Sequence, residues 1–249
     1  MSRLVKLGLP AILWLTPGPQ QNAQDYLRGL AGQRLILRHF GGSATVKTKE
    51  KDLGGKHGGC DEAVEVMTVS LDSTSVTIRL RNMGTVGILG KNVSCQDNAL
   101  PQEYLLRIDE FGLDQPSDHA RKSIEYVLQT PEEFLAAKGV KFNPTPATGN
   151  ESIIDLPHTG VTPPKPILLA FPLLSNAAFI GATRGQVIVK CVVGTDGVPR
   201  DPVVVSGPNQ DLGKLAVDEL SFDRLEPAHD TGGPVSVRMP MEMTFGPKP

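Results

Sequence analysis

No apolar run in this chain approaches the roughly 20 residues that a helix needs to cross a bilayer. We therefore do not expect a membrane-spanning protein once a leader has been removed. Charge of one sign is also missing: 25 Lys and Arg residues against 27 Asp and Glu residues give a net charge of −2, which offers no attraction to nucleic acid. Aromatic residues make up only 5%, whereas 21 Pro and 26 Gly among 249 residues favour short elements in two modest domains.

Motifs of catalysis and metal binding are absent as well. The sequence contains no G-x-S-x-G, H-E-x-x-H or P-loop pattern, and its five histidines are scattered singly. No C-x-x-C spacing occurs that would indicate a zinc site. We therefore assign no catalytic residue, no metal and no cofactor, and we predict that the chain is not an enzyme.

Cysteine is scarce, with three residues in all. Cys60 and Cys95 lie in polar segments, whereas Cys191 lies inside the apolar run 187–193. A Cys60–Cys95 disulfide is the natural pairing, and in an oxidising compartment it would contribute about 4 kcal/mol of stability. Two free thiols in loops are the alternative. Cys191 is predicted to be a small buried hydrophobic residue.

The first 23 residues have the layout of a secretory signal peptide. Arg3 and Lys6 provide a basic start, and residues 7–15 form a short apolar core. A buried N-terminal strand is the alternative, which the prolines within and after this core disfavour. We predict cleavage after Ala23 and a mature protein that is periplasmic or secreted.

Residues 24–142 are predicted to form a mixed β-rich region that ends in two helices. Apolar alternation and short apolar runs bounded by turn residues predict strands. The predicted strands are 35–40, 64–71, 76–80 and 104–108. A helix is predicted from Ser117, because apolar residues recur at helical spacing after it. Thr130-Pro131-Glu132-Glu133 predicts a second, short helix, because it combines an N-cap, a proline at the first position and a capping carboxylate.

Residues 143–166 contain six prolines and predict a semi-rigid linker between two domains. The region 167–249 is then predicted to run helix, strand, strand, helix, strand. Asp196-Gly197 between two apolar runs predicts a hairpin. Alternation from Val235 to Phe245 predicts a last strand with one buried face. The fold class expected for the whole chain is α+β.

Several short motifs in the C-terminal region follow the order and spacing of a known family. They are Phe171-Pro172 in the place of Tyr-Pro, Gly185-Gln186-Val187-Ile188-Val189 for G-x-V-x-V, Val193-Gly194-Thr195-Asp196-Gly197-Val198 for x-x-D-G-x, Leu225-Glu226-Pro227 for F-x-P, and Gly233-Pro234-Val235 followed by Phe245. In these features the chain resembles the TonB C-terminal domain, the receptor-contacting domain of bacterial energy transducers. The resemblance covers about Pro163 to Phe245 and implies a three-stranded antiparallel sheet with two helices.

The resemblance also implies a mode of binding. In the family, the last strand lies at an accessible sheet edge and pairs with a segment of an outer-membrane receptor, which is β-augmentation. The implied partner-binding residues are Arg184, Gln186, Arg238, Pro240 and Glu242. Pro240 is tolerated at an edge but removes one N–H donor, so it either marks the binding edge or protects that edge from pairing.

The sequence thus predicts an exported protein-binding module of a bacterial cell envelope, related to transmembrane transport and possessing a protein partner. Two alternatives stay open. One is an enzyme or small-ligand binder that works through residues 24–142, and the other is a structural protein of the envelope. The oligomeric state is not predicted.

Overall fold

The computed structural model describes residues 19–38, 46–47, 61–72, 75–90, 103–109, 116–142, 152–172 and 185–245. Cys60, Cys95, Arg184 and the helical segment predicted at 175–180 lie outside these residues. The proposed cleavage point after Ala23 falls within the first helix.

The described residues form four helices and 13 strands. The helices are α1 (Pro19–Gly29), α2 (Pro116–Val127), α3 (Pro131–Ala137) and α4 (Gln210–Leu220). The strands of the first sheet are β1 (Arg34–Leu37), β2 (Val46–Lys47), β3 (Glu62–Leu71), β4 (Ser75–Ile88), β5 (Glu103–Asp109), β6 (Leu128–Gln129), β8 (Lys165–Pro172) and β11 (Arg224–Glu226). Those of the second sheet are β7 (Ile153–Asp155), β9 (Gly185–Val193), β10 (Pro199–Ser206), β12 (Ala228–Asp230) and β13 (Gly233–Phe245).

The first sheet is built around the long strand β4. Its path is β11-β8-β4-β3-β1-β6, and β2 and β5 lie off this path. One edge of β4 pairs with β3, while the other is shared: β5 pairs with residues 75–81 and β8 with residues 84–88. Val76, Ile78 and Leu80 are buried as their alternation predicts. The predicted strands 64–71 and 76–80 are therefore confirmed as β3 and β4, which pair with each other, although β4 is longer than expected.

The helices around this sheet follow local sequence signals. Ile124 and Val127 of α2 join Leu27 and Leu30 at α1 in one apolar cluster with the β3, β4 and β5 side chains. Helix α3 begins with the predicted capping box, because Thr130 accepts the Glu133 N–H and the Glu133 carboxylate accepts the Thr130 N–H. Helices α2 and α3 each begin within one residue of the predicted start.

The second sheet has the order β10-β9-β13-β12, with β7 added to β13 in parallel. The Asp196-Gly197 hairpin between β9 and β10 is confirmed. Gly197 has φ +72°, and a Cβ there would lie 1.8 Å from the Leu225 carbonyl oxygen. Only glycine fits this turn, because it packs directly against β11 of the first sheet.

The predicted fold class was wrong beyond these local elements. The described residues of the C-terminal region do not form a separate three-stranded sheet: β9, β10 and β13 belong to a five-stranded sheet, and β8 and β11 belong to the eight-stranded one. Nor is 143–166 only a linker, since Ile153–Asp155 pairs with β13. Three residues free of proline suffice for this pairing, and the prolines that follow lie outside it.

The apolar cores show how the two sheets are joined. Helix α4 packs on β9 and β13 through Leu212, Ala216 and Leu220. Phe222, just after α4, belongs instead to the apolar cluster that contains Leu168 of β8. The end of α4 therefore lies where the two sheets meet, and this junction positions the candidate site.

Candidate functional site

The candidate site is the part of β13 that has a strand partner on one side only. Strand β9 pairs with β13 from Val237 to Phe245. On the opposite side, β12 pairs with residues 233–235 and β7 with residues 236–238. From Met239 to Phe245 that side has no strand partner among the residues that the structure describes. We call this stretch the open edge.

One hydrogen bond fixes which main-chain groups face the open edge. The Leu156 N–H donates to the Arg238 carbonyl oxygen at 2.9 Å, so the main-chain groups of Arg238 point away from β9. Because this direction alternates along a strand, those of Pro240, Glu242 and Thr244 face the open edge. Pro240 therefore removes no hydrogen bond from the ladder with β9. The edge offers two N–H donors and three carbonyl acceptors.

A groove of about 400 Å³ runs beside the open edge. One wall is Met239 to Phe245, and the other contains residues of β8 together with Pro164, which precedes it. The walls are mostly apolar, with Leu169, Phe171 and the three methionines of the open edge among them. The groove thus combines unpaired backbone with apolar surface.

Two buried carboxyl groups also line the groove. Glu219 of α4 is 7% exposed and Asp223, just beyond the helix, is 3% exposed. Glu219 Oε1 has no hydrogen-bond partner within the described structure, whereas Asp223 Oδ1 accepts the Ala170 N–H at 2.9 Å. Burial, with smaller contributions from the charges of Asp223 and Asp218, raises the pKa of Glu219 to about 9. Burial raises the pKa of Asp223 to about 7, although the Ala170 N–H and Arg224 oppose this.

The predicted partner-binding residues are distributed around this site. Pro240 and Glu242 lie on the open edge, and Gln186 is opposite Thr244 at the start of β9. Arg238 lies just outside the open edge, where β7 covers β13, and its Nη1 is 3.4 Å from Asp155 Oδ1.

The predictions missed Glu219 and Asp223. Glu219 follows Leu212 by seven residues and Ala216 by three, so it lies on the apolar face of α4. That spacing was the available signal. The position of Asp223 beside β8 could not be foreseen, because β8 was not predicted as a strand.

Cys191 lies in β9 of the second sheet and is buried, as predicted. Burial, together with the charge of Asp223, raises the pKa of its thiol to about 11. The thiol is therefore held in its protonated form, in which it is unreactive. It serves as a packing residue behind the groove.

A second buried polar cluster lies in the first sheet. The Tyr104 hydroxyl and the Asn82 amide both donate to Glu62 Oε2, the latter at 2.7 Å. Burial raises the pKa of Glu62 to about 7, although these two hydrogen bonds oppose it. The acceptor oxygen is thus satisfied by neighbouring strands, and this network links β3, β4 and β5.

Comparison with family models, with curated proteins and with solved structures found no match for this chain. Among the residues described, no helix is both long enough and apolar enough to cross a membrane. The resemblance to the TonB C-terminal domain stays a prediction.

Proposed function

We propose that this protein is a non-enzymatic protein-binding module that takes an extended segment of a partner protein as an added strand along the open edge of β13. The observation that carries the proposal is the coincidence of unpaired backbone with an apolar groove. Exposed strand edges of this kind accept peptides in β-augmentation.

The open edge is long enough for specific recognition. At about 3.4 Å per residue, Met239 to Phe245 spans about 20 Å. A peptide there has partners for two carbonyl oxygens and three N–H groups. The absent donor at Pro240 leaves one peptide carbonyl without a partner, which favours a peptide that bends away or ends near that point.

The groove supplies contacts for side chains as well as backbone. Phe171 is exposed, and Leu169 and Pro164 continue the same wall. Opposite them, Met239, Met241 and Met243 present flexible thioether side chains, which adapt to partners of different shape. Such a surface is suited to several related peptide segments.

The predicted signal peptide and the resemblance of the C-terminal region support a location in the periplasm of a bacterium. They also support outer-membrane receptors as the source of the peptide segment. On this proposal the protein serves transport across the envelope by contacting such receptors.

Selection of peptides against the purified protein tests strand addition directly. A displayed library of random ten-residue peptides should yield binders, and Thr244→Pro should weaken them at least about tenfold, because it deletes an N–H that faces the open edge. The variant leaves the ladder with β9 intact, so its thermal unfolding should be nearly unchanged. Glu242→Pro provides a second deletion of the same kind. Peptides that bind both variants as tightly as the wild-type protein would show that the binding surface lies elsewhere.

Crosslinking in intact cells tests the partner. Tagged protein and its Glu242→Lys variant should be compared, with the captured proteins identified. Capture of outer-membrane receptors by the first and not by the second supports the proposal. Capture of receptors that is equal for both would exclude recognition at the open edge.

A further inference from the structure

The groove beside the open edge is acidic in a way that strand addition alone does not require. Three carboxylic residues line it, Glu219, Asp223 and Glu242, and no Lys, Arg or His is among the described lining residues. Two of the three are buried. A buried acidic pair without a basic neighbour in the same groove is complementary to a cation.

Two basic side chains near this acidic pair are already engaged, and Lys165, between the lining residues Pro164 and Pro166, is exposed and does not line the groove. Arg224 Nε is 2.5 Å from Glu132 Oε1, and Arg34 Nη2 is 2.5 Å from Asp218 Oδ1. The charges that act on Glu219 are those of Asp223 and Asp218 from its own segment, both acidic, and Glu242 of β13 lines the same groove.

The unpartnered Oε1 atom of Glu219 is the second observation. Buried polar atoms in folded proteins are nearly always hydrogen-bonded, so an exception in the wall of a groove indicates a missing partner. Because Glu219 lines the groove, a donor that enters it meets this side chain and satisfies the enclosed Oε1 atom once the carboxyl group turns towards it.

We infer that the segment bound at the open edge carries a lysine or arginine whose charged group is held by the carboxylates of Glu219 and Asp223. This inference rests on the proposed function and names the chemistry of the partner. The apolar walls fit the methylene stem of such a side chain, which is commonly buried while its head group finds polar partners.

Binding of the cation should depend on pH, whereas binding of an apolar side chain in the same groove should not. Glu219 holds its proton at neutral pH, since its pKa is about 9, and it must lose that proton to pair with the cation. Affinity should therefore rise about tenfold per pH unit between pH 7 and pH 8, with about one proton released per peptide. Ionisation of Asp223 adds to this rise only below its pKa of about 7.

The test uses the peptides selected from the random library, each paired with a copy in which lysine is replaced by norleucine or arginine by citrulline. The cationic peptide should bind at least about tenfold more tightly than its neutral copy at pH 8. Glu219→Gln should reduce this difference and abolish the pH slope above pH 7, where Asp223 is already ionised. Glu226→Gln, an exposed carboxylate of β11 outside the groove, is the matched control and should change neither.

The outcomes separate this inference from the proposed function. Peptides that bind at the open edge but show no enrichment in lysine or arginine, and no loss with the neutral copy, overturn the inference and leave strand addition standing. Failure to select any peptide that responds to Thr244→Pro overturns strand addition itself. Binding of n-butylammonium or Ca²⁺ alone as tightly as the peptide would also overturn the inference, because the site would then not need a strand.

Discussion

Replacement of Glu219 by glutamine should stabilise the protein, and by an amount that depends on pH. The carboxyl group is buried, and its pKa is raised from its ordinary value of 4.5 to about 9. Because the folded protein holds this proton more tightly than the unfolded chain does, the group favours folding fully below pH 4.5. That contribution is lost as the pH rises through about 9.

The size of the effect follows from the shift. Each pKa unit corresponds to about 1.36 kcal/mol, so at pH 7 the wild-type protein should be about 3 kcal/mol less stable than it is below pH 4.5, through this group alone. Glutamine resembles the protonated acid and does not titrate. Glu219→Gln should therefore gain up to about 3 kcal/mol over the wild type at pH 7 and almost nothing at pH 4.

Urea unfolding at pH 4, 5.5, 7 and 8.5 measures this difference, with Glu226→Gln as the exposed control. Glu219→Met serves as a second variant, because it removes the polar atoms and preserves the volume, and it should stabilise in the same direction at pH 8.5. A difference between the Gln variant and the wild type that stays constant from pH 4 to pH 8.5 would show that Glu219 is not buried in its acid form, and the argument for the acidic groove would fail.

Three further predictions concern backbone features. In hydrogen exchange followed by NMR, the amides of Glu242 and Thr244, which face the open edge, should exchange much faster than those of Met241 and Met243, which face β9. Similar protection of all four amides would mean that the open edge is covered. Gly197→Ala should lower the free energy of unfolding by about 3 kcal/mol, because its Cβ would overlap a carbonyl oxygen. Gly139→Ala, at a position that also has a positive φ but has open space around it, should lower it by only about 1 kcal/mol. Equal losses in urea unfolding would refute the close packing of the hairpin turn. Thr130→Ala should cost about 1 kcal/mol by the same assay through loss of the helix cap, and no change would contradict the capping box.

The elements that were predicted correctly are those whose signals are local. The Asp196-Gly197 turn, the capping box at Thr130 and the alternation at Val76 to Leu80 each depend on a few neighbouring residues. Their physical causes, a positive φ, a side-chain cap and a half-buried strand, act within the segment itself.

The errors concern pairing between distant segments. Nothing within Lys165–Pro172 indicates that it pairs with β4, more than 75 residues earlier, because an apolar run fits either sheet equally well. The same holds for Ile153–Asp155, which was hidden among prolines. The candidate site was predicted only in part. Strand β13 and its proline are local features, whereas Glu219 and Asp223 line the site because β8, a distant segment, lies beside them.

The position of Pro240 has a consequence for how the protein meets its own copies. Two open edges that approached each other antiparallel, centred on Glu242, would set one Glu242 carboxylate against the other and Pro240 against Thr244. The first contact is repulsive, and the second lacks a hydrogen bond at each end. In this register the edge is therefore poorly matched to itself, so pairing of two copies centred on Glu242 is disfavoured relative to pairing with a foreign strand that lacks these two features.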